Sequence, residues 1–197
     1  MKRFCLLVAC VALFVGVEVG RSFASAQDAA TEKDAPRLED YAVEVRRGEV
    51  APLDLGSHPL ARKYRTAIRE QLLQEGVNFA GRYTLAAVGC GTGCAIGAII
   101  DTRTGRAYFP PELHGWTSIV GDYEADESED LWTFRPHSRL LRGLGRPNLG
   151  RAGEERYGAS GIYYYEWTNN RLRLVKFTHV GSYPKADPPR RRLSRRR

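Results

Sequence analysis

Cysteine is scarce in this 197-residue chain, which has four, two of them (Cys5 and Cys10) in an apolar N-terminal segment. That scarcity excludes a disulfide-dense scaffold and a zinc site built from two downstream cysteine pairs. Long apolar runs are also missing. Residues 4–17 are apolar apart from Gly16, and Glu18 and Arg21 then stop the run, short of the roughly 20 residues that cross a bilayer. The four histidines, His58, His114, His137 and His179, are scattered and show no metal-ligand spacing. No internal repeat stands out. With 43% hydrophobic and 27% charged residues, the chain is neither a wholly disordered, a collagenous nor a multi-span membrane protein.

Residues 1–26 read as a secretory signal peptide. Lys2 and Arg3 precede the apolar stretch, and Ala24-Ser25-Ala26 puts small residues where the peptidase reads them, so the expected cut is before Gln27. Leu7-Val8-Ala9-Cys10 has the look of a lipoprotein box, but the apolar stretch before Cys10 is too short. An exported, periplasmic or secreted protein is therefore expected. The cut lowers the formal net charge from +7 to +5 and leaves Cys90 and Cys94 as the only thiols. An exported chain with one cysteine pair is most simply a one-disulfide protein.

Most of the remaining positive charge lies in a tail. Six arginines and no acid stand between Arg190 and Arg197, which leaves residues 27–189 close to neutral. The tail suits weak contact with polyanions or an anionic membrane surface. No specific nucleic-acid binding is expected, because the body shows no basic stripe in sequence. Residues 27–40 read as a flexible leader, 41–180 as one folded domain, and 181–197, with Pro184, Pro188 and Pro189, as a disordered Pro/Arg-rich tail.

Within the domain one helix is clear. Ser57 or His58 can cap it, Pro59 suits its first turn and Gly76 can end it. Leu60, Tyr64, Ile68 and Leu72 recur every four residues, with Ala67 and Leu73 widening the stripe. Strands are expected over 82–88, 95–101, 106–109, 131–134, 139–141, 160–168 and 171–180, with Asn169-Asn170 as a tight hairpin turn. In the last strand the apolar phase slips between Leu172/Leu174 and Val175/Phe177, which predicts a bulge or a strong twist near Leu174. The first hairpin is rich in small residues (Ala86, Ala87, Gly89, Gly97 and Ala98), so something bulky, expected to be the helix, approaches it closely. The expected fold is α+β: a mostly antiparallel, twisted β-meander with one amphipathic helix packed on it.

Asn78-Phe79-Ala80-Gly81-Arg82-Tyr83, then Gly89-Cys90-Gly91-Thr92-Gly93-Cys94, then Asp101-Thr102-Arg103-Thr104-Gly105 form a pattern. It resembles that of a family of small, exported, uncharacterised bacterial proteins. Phe134-Arg135-Pro136-His137-Ser138-Arg139-Leu140-Leu141 and Tyr163-Tyr164-Tyr165-Glu166-Trp167 are similar to later parts of it. The resemblance implies export and a β-rich fold, and it transfers no activity.

Cys90 and Cys94 are the sharpest chemical feature. They flank a short Gly91-Thr92-Gly93 loop on facing strands, where a structural disulfide would clamp the turn. A redox pair is the rival reading. Its usual form has two intervening residues at a helix start, and this pair has three with a strand following. A metal site would need His114 or His137 to join the two sulfurs. The Gly91-Thr92-Gly93 loop is not a phosphate loop, since neither the Lys-Ser/Thr nor the helix follows. Gly158-Ala159-Ser160-Gly161 misses the spacing of a nucleophile elbow, and Ser138 beside His137 is no triad. Asp122, Glu124 and Asp126 alternate as in a calcium loop, but Glu127 and Thr133 stand where its glycine and bidentate Glu belong. Tyr163, Tyr165 and Trp167 share one strand face, either core or an aromatic ligand surface.

The sequence thus identifies no catalytic residue, cofactor or metal. It points to a non-enzymatic envelope or secreted binding module for an unidentified ligand, contacted through the Gly91-Thr92-Gly93 loop or the Tyr163, Tyr165 and Trp167 face. The alternative is an enzyme, either thiol-based through Cys90 and Cys94 or a hydrolase whose site forms only in three dimensions.

Overall fold

The computed structural model describes residues 34–91, 93–117, 130–148, 150 and 157–180. The elements below all belong to the unit Ala35–Arg197. The N-terminal apolar segment, the first half of the stretch 27–40, the acidic stretch 122–129 and the arginine tail lie outside the described residues.

Two antiparallel sheets and a helical layer make up the fold, which is α+β and mostly β, as expected. The first sheet holds β1 (Tyr83–Gly91), β2 (Cys94–Asp101), β3 (Ala107–Tyr108) and β4 (Trp116–Thr117). β1 pairs with one edge of β2, and the short β3 and β4 share the other. The second sheet is a meander of β5 (Trp132–Thr133), β6 (Leu140–Gly145), β7 (Gly161–Thr168) and β8 (Arg171–His179). β4 has no counterpart in the sequence reading, because two residues are too few to show a period.

Strand alternation assigns the two faces of the first sheet. Ala86, Val88, Ala98 and Ile100 join Ala61, Ile68 and Leu72 of the helical layer. Leu85, Ala95 and Ile99 join Leu141, Tyr163, Tyr165 and Trp167 of the second sheet. β2 is covered on both faces, which explains its unbroken apolar run.

The helix is two pieces, α1 (Pro59–Lys63) and α2 (Arg65–Glu75), separated at Tyr64, whose φ of −103° and ψ of 21° depart from helical values. His58 is the cap: its Nδ1 accepts from the Leu60 N–H at 3.1 Å. Gly76 ends α2 with φ of 56°, its N–H donating to the Leu72 carbonyl at 3.2 Å. Ile68 and Leu72 are buried, but Leu73 is 82% exposed and lies off the stripe that seemed to include it.

Small residues in the first hairpin admit two different neighbours. Ala86 and Ala98 face the helix. Gly97 instead faces the second sheet, where an added Cβ would lie 2.7 Å from Leu113 and 3.2 Å from Trp132. Across the layer, a Cβ on Gly143 would lie 2.7 Å from Trp116. Two glycines thus leave room for two indoles, Trp116 and Trp132, which meet edge to face at 6.1 Å.

β1 would expose a free edge, and two side-chain amides close it. Asn78 accepts from the Leu85 N–H at 2.7 Å and donates to the Leu85 carbonyl at 3.1 Å. Gln71 accepts from the Ala87 N–H at 2.9 Å and donates to the Ala87 carbonyl at 2.8 Å. Each amide imitates a neighbouring strand, which protects an edge from foreign pairing. Asn78→Ala should therefore cost about 1–3 kcal/mol through the unpaired groups left behind. Hydrogen exchange at the Leu85 amide should accelerate in that variant, and unchanged protection there would contradict this role for Asn78.

The last hairpin matches its sequence signals. Asn169 and Asn170 take φ of 50° and 57°, as a type I′ turn requires. Tyr165 pairs with Leu174 and Tyr164 with Lys176, so Val175 is the extra residue of a bulge. The bulge restores the apolar phase, and Leu172 and Phe177 face the same side as Trp167 and Tyr163.

Candidate anion-binding cleft

Four segments meet at the end of the sheets where β1 begins and β7 turns into β8. The extended stretch 42–47 is pinned by two backbone bonds, Val43 N–H to the His137 carbonyl at 2.9 Å and Arg46 N–H to the Gly81 carbonyl at 2.6 Å. The turn before β1 places Ala80 and Gly81 at φ of 46° and 79°, and their N–H groups donate to the carbonyls of Ser138 and Pro136 at 3.1 and 2.7 Å. Gly81 is required twice over: its φ favours glycine, and a Cβ there would lie 2.5 Å from the Glu44 carbonyl oxygen. Thr102 donates to the Arg82 carbonyl through both its N–H and its hydroxyl, at 3.0 and 2.8 Å. The Trp167 N–H donates to the Arg139 carbonyl at 2.9 Å.

These contacts frame an open cleft of about 1320 Å³. Four arginines line it, Arg46, Arg47, Arg82 and Arg139, against one carboxylate, Glu44. Trp167 and the Asn169-Asn170 turn complete its wall.

Two of the guanidiniums are held by buried acids. Arg82 Nε lies 3.3 Å from Asp101, whose side chain is 5% exposed, and Arg82 Nη2 donates to the Tyr83 hydroxyl at 2.9 Å. That hydroxyl donates onward to Asn170 Oδ1 at 3.0 Å. Burial opposes the charge on Arg82, yet its pKa is raised, because the Tyr83 hydrogen bond and the nearby Tyr83 and Asp101 charges outweigh burial. Arg139 Nη1 lies 2.9 Å from Glu166 Oε1, while Arg173 takes the other carboxylate oxygen. Arg46 donates to the Glu49 carbonyl at 3.0 Å, and Arg47 is exposed. Two N–H groups of the wall residues, Arg139 Nε and Trp167 Nε1, are buried without an acceptor in the protein. The cleft therefore gathers four arginines, two of them positioned and partly neutralised by Asp101 and Glu166. Arg46 and Arg47 leave an excess of positive charge over Glu44 that suits an anion.

Apart from Trp167, which lines the cleft, the described residues singled out from sequence lie elsewhere. Cys90 and Cys94 form the expected disulfide pair, with Cα atoms 5.2 Å apart, at the far tip of the β1–β2 hairpin and not at a helix start. Gly91 pairs directly with Cys94, so the expected three-residue loop is a two-residue turn, with Cys90 bulged out between Gly89 and Gly91. Gly91 and Gly93 face open space at φ of 146° and 64°, and Thr92 lies outside the described residues. Reduction should lower stability by about 2 kcal/mol, the chain-entropy value for so short a loop. Because the clamp is remote from the cleft, thermal unfolding with and without reductant should show that loss while anion binding persists. Equal loss of both would join the two regions.

Tyr163, Tyr165 and Trp167 are 8, 4 and 2% exposed, so they form core and not an aromatic surface. Burial raises the pKa of Tyr163 to about 12 and raises that of Tyr165 as well. His114 lies near His58, and the His137 carbonyl serves the cleft wall. Among the described residues no three His, Cys, Asp or Glu side chains gather as metal ligands. No helix among them is long and apolar enough to cross a membrane.

The nearly neutral sum of charge over residues 27–189 gives no sign of the cleft. One signal was available: Arg82, Asp101 and Arg139 all fall in the quoted motif segments. No family model matches the chain, and no curated protein or solved structure matches it either.

Proposed function

We propose that the chain is an exported, non-enzymatic binding module, of the bacterial family its motifs resemble, and that it holds an anionic ligand in the arginine cleft. The observation that carries this reading is the lining: four arginines, two of them paired with Asp101 and Glu166, and one lining acid, Glu44, surround a cleft of about 1320 Å³. Arg82 and Arg139 are held in place by Asp101 and Glu166, so little side-chain freedom remains to be lost on binding. The disulfide-clamped tip is a structural element in this reading.

Titration of the full exported chain with acetate, sulfate and phosphate, followed by amide chemical shifts, tests it. Saturable shifts should centre on Arg82, Arg139 and Trp167, and apparent affinity should fall as sodium chloride rises. Shifts spread over the surface with no saturation would defeat the proposal.

A further inference from the structure

A second pocket, of about 480 Å³, adjoins the cleft and shares one wall residue with it, Asn170. Its lining is more apolar, although Arg106, Arg171 and Glu112 also stand on it. Phe109, stacked on His58 at 4.6 Å, is joined by Tyr108, Pro110, Pro111 and Leu172. The volume is in the usual range for part of a small organic ligand. His58 Nδ1 is committed to the Leu60 N–H, and burial, with the nearby His114, lowers the His58 pKa. Asn170 stands between the two spaces. Its Oδ1 is taken by the Tyr83 hydroxyl, which itself accepts from Arg82, so a hydrogen-bonded chain links the shared wall residue to the arginine cluster.

We infer that the cleft and this pocket are two halves of one site, and that its ligand is a small anion carrying an apolar ring. The anionic group sits at the arginines and the ring sits against Phe109, Pro110, Pro111 and Leu172. This rests on the anion-binding reading and adds the ligand class. A guanidinium cluster alone selects charge and is easily satisfied by any salt. An adjacent apolar pocket adds selectivity, because only a ring-bearing anion fills both.

The test uses four probes on the full chain: acetate, naphthalene-2-carboxylate, the neutral 2-naphthalenemethanol and a long polyuronate. Naphthalene-2-carboxylate should bind at least tenfold more tightly than acetate and than the alcohol. Its shifts should reach the amides of Phe109 and Leu172, which acetate leaves in place. Nuclear Overhauser contacts between the naphthyl protons and the Phe109 ring should appear. Phe109→Ala should reduce naphthalene-2-carboxylate to the affinity of acetate without altering acetate itself. The wild-type contacts decide the matter if that variant unfolds.

Equal affinity for acetate and naphthalene-2-carboxylate would overturn this inference and leave the anion-binding reading standing. So would an alcohol that binds as tightly as the acid. Binding of a long polyuronate with no response to naphthalene-2-carboxylate would overturn it in favour of a polymer ligand. Absence of binding by every anion would overturn both.

Discussion

Replacing Trp116 by alanine should lower stability by about 3–5 kcal/mol, the cost of deleting a fully buried large aromatic. Trp116 is 0% exposed and lies between the two sheets. It meets Trp132 and Tyr163 edge to face, at 6.1 and 5.5 Å, and its Nε1–H donates to the Leu144 carbonyl at 2.9 Å. The facing Gly143 offers no side chain that could swing into the space. For a domain of this size the loss corresponds to a fall in Tm of roughly 10 °C or more. Trp116→Phe keeps most of the ring but strands the Leu144 carbonyl, and it should cost less than the alanine variant. Thermal unfolding of both variants is the measurement. A Trp116→Ala protein melting within about 2 °C of the wild type would mean that the inter-sheet core does not depend on this indole.

Removing Arg139 should cost the cleft about tenfold or more in affinity for a bound anion. A charge-assisted hydrogen bond is worth about 1.5–3 kcal/mol, and each 1.4 kcal/mol is a factor of ten. Arg139→Met keeps the aliphatic stem and leaves Glu166 still paired with Arg173, so the fold should tolerate it. Arg173→Met supplies the contrast. It removes the other partner of Glu166 without touching the cleft, and affinity should stay as in the wild type. Arg82→Met should weaken binding too, but it leaves the buried Asp101 carboxylate without its cation and should also lower stability. Calorimetric titration of the three variants separates the roles. Equal losses for Arg139→Met and Arg173→Met would show that the Glu166 network acts through the fold and not at the ligand.

Short-range signals carried most of the fold. The Asn169-Asn170 turn, the bulge at Val175, the start and stop of the helix and the Cys90–Cys94 pair are all legible because each depends on neighbours a few residues away. Leu73 was misplaced because a broad stripe and its margin look alike until the sheet beneath fixes which side is covered. Tyr163, Tyr165 and Trp167 share a strand face whether that face meets water or a second sheet, and periodicity alone cannot tell the two apart.

What the sequence determined by itself was therefore local: element types, turn chemistry and the phase of each strand. The tertiary structure decided which glycines face indoles, which amides close the β1 edge, and where charge gathers. Net charge adds over the chain without regard to place, so a nearly neutral body concealed four arginines on one cleft. Arg46, Arg47, Arg82 and Arg139 come from distant segments. Backbone bonds, among them those linking the 42–47 stretch, the Ala80-Gly81 turn and the Pro136–Ser138 carbonyls, bring them together. The site is a product of packing, because a guanidinium's value to a ligand depends on what stands beside it in space.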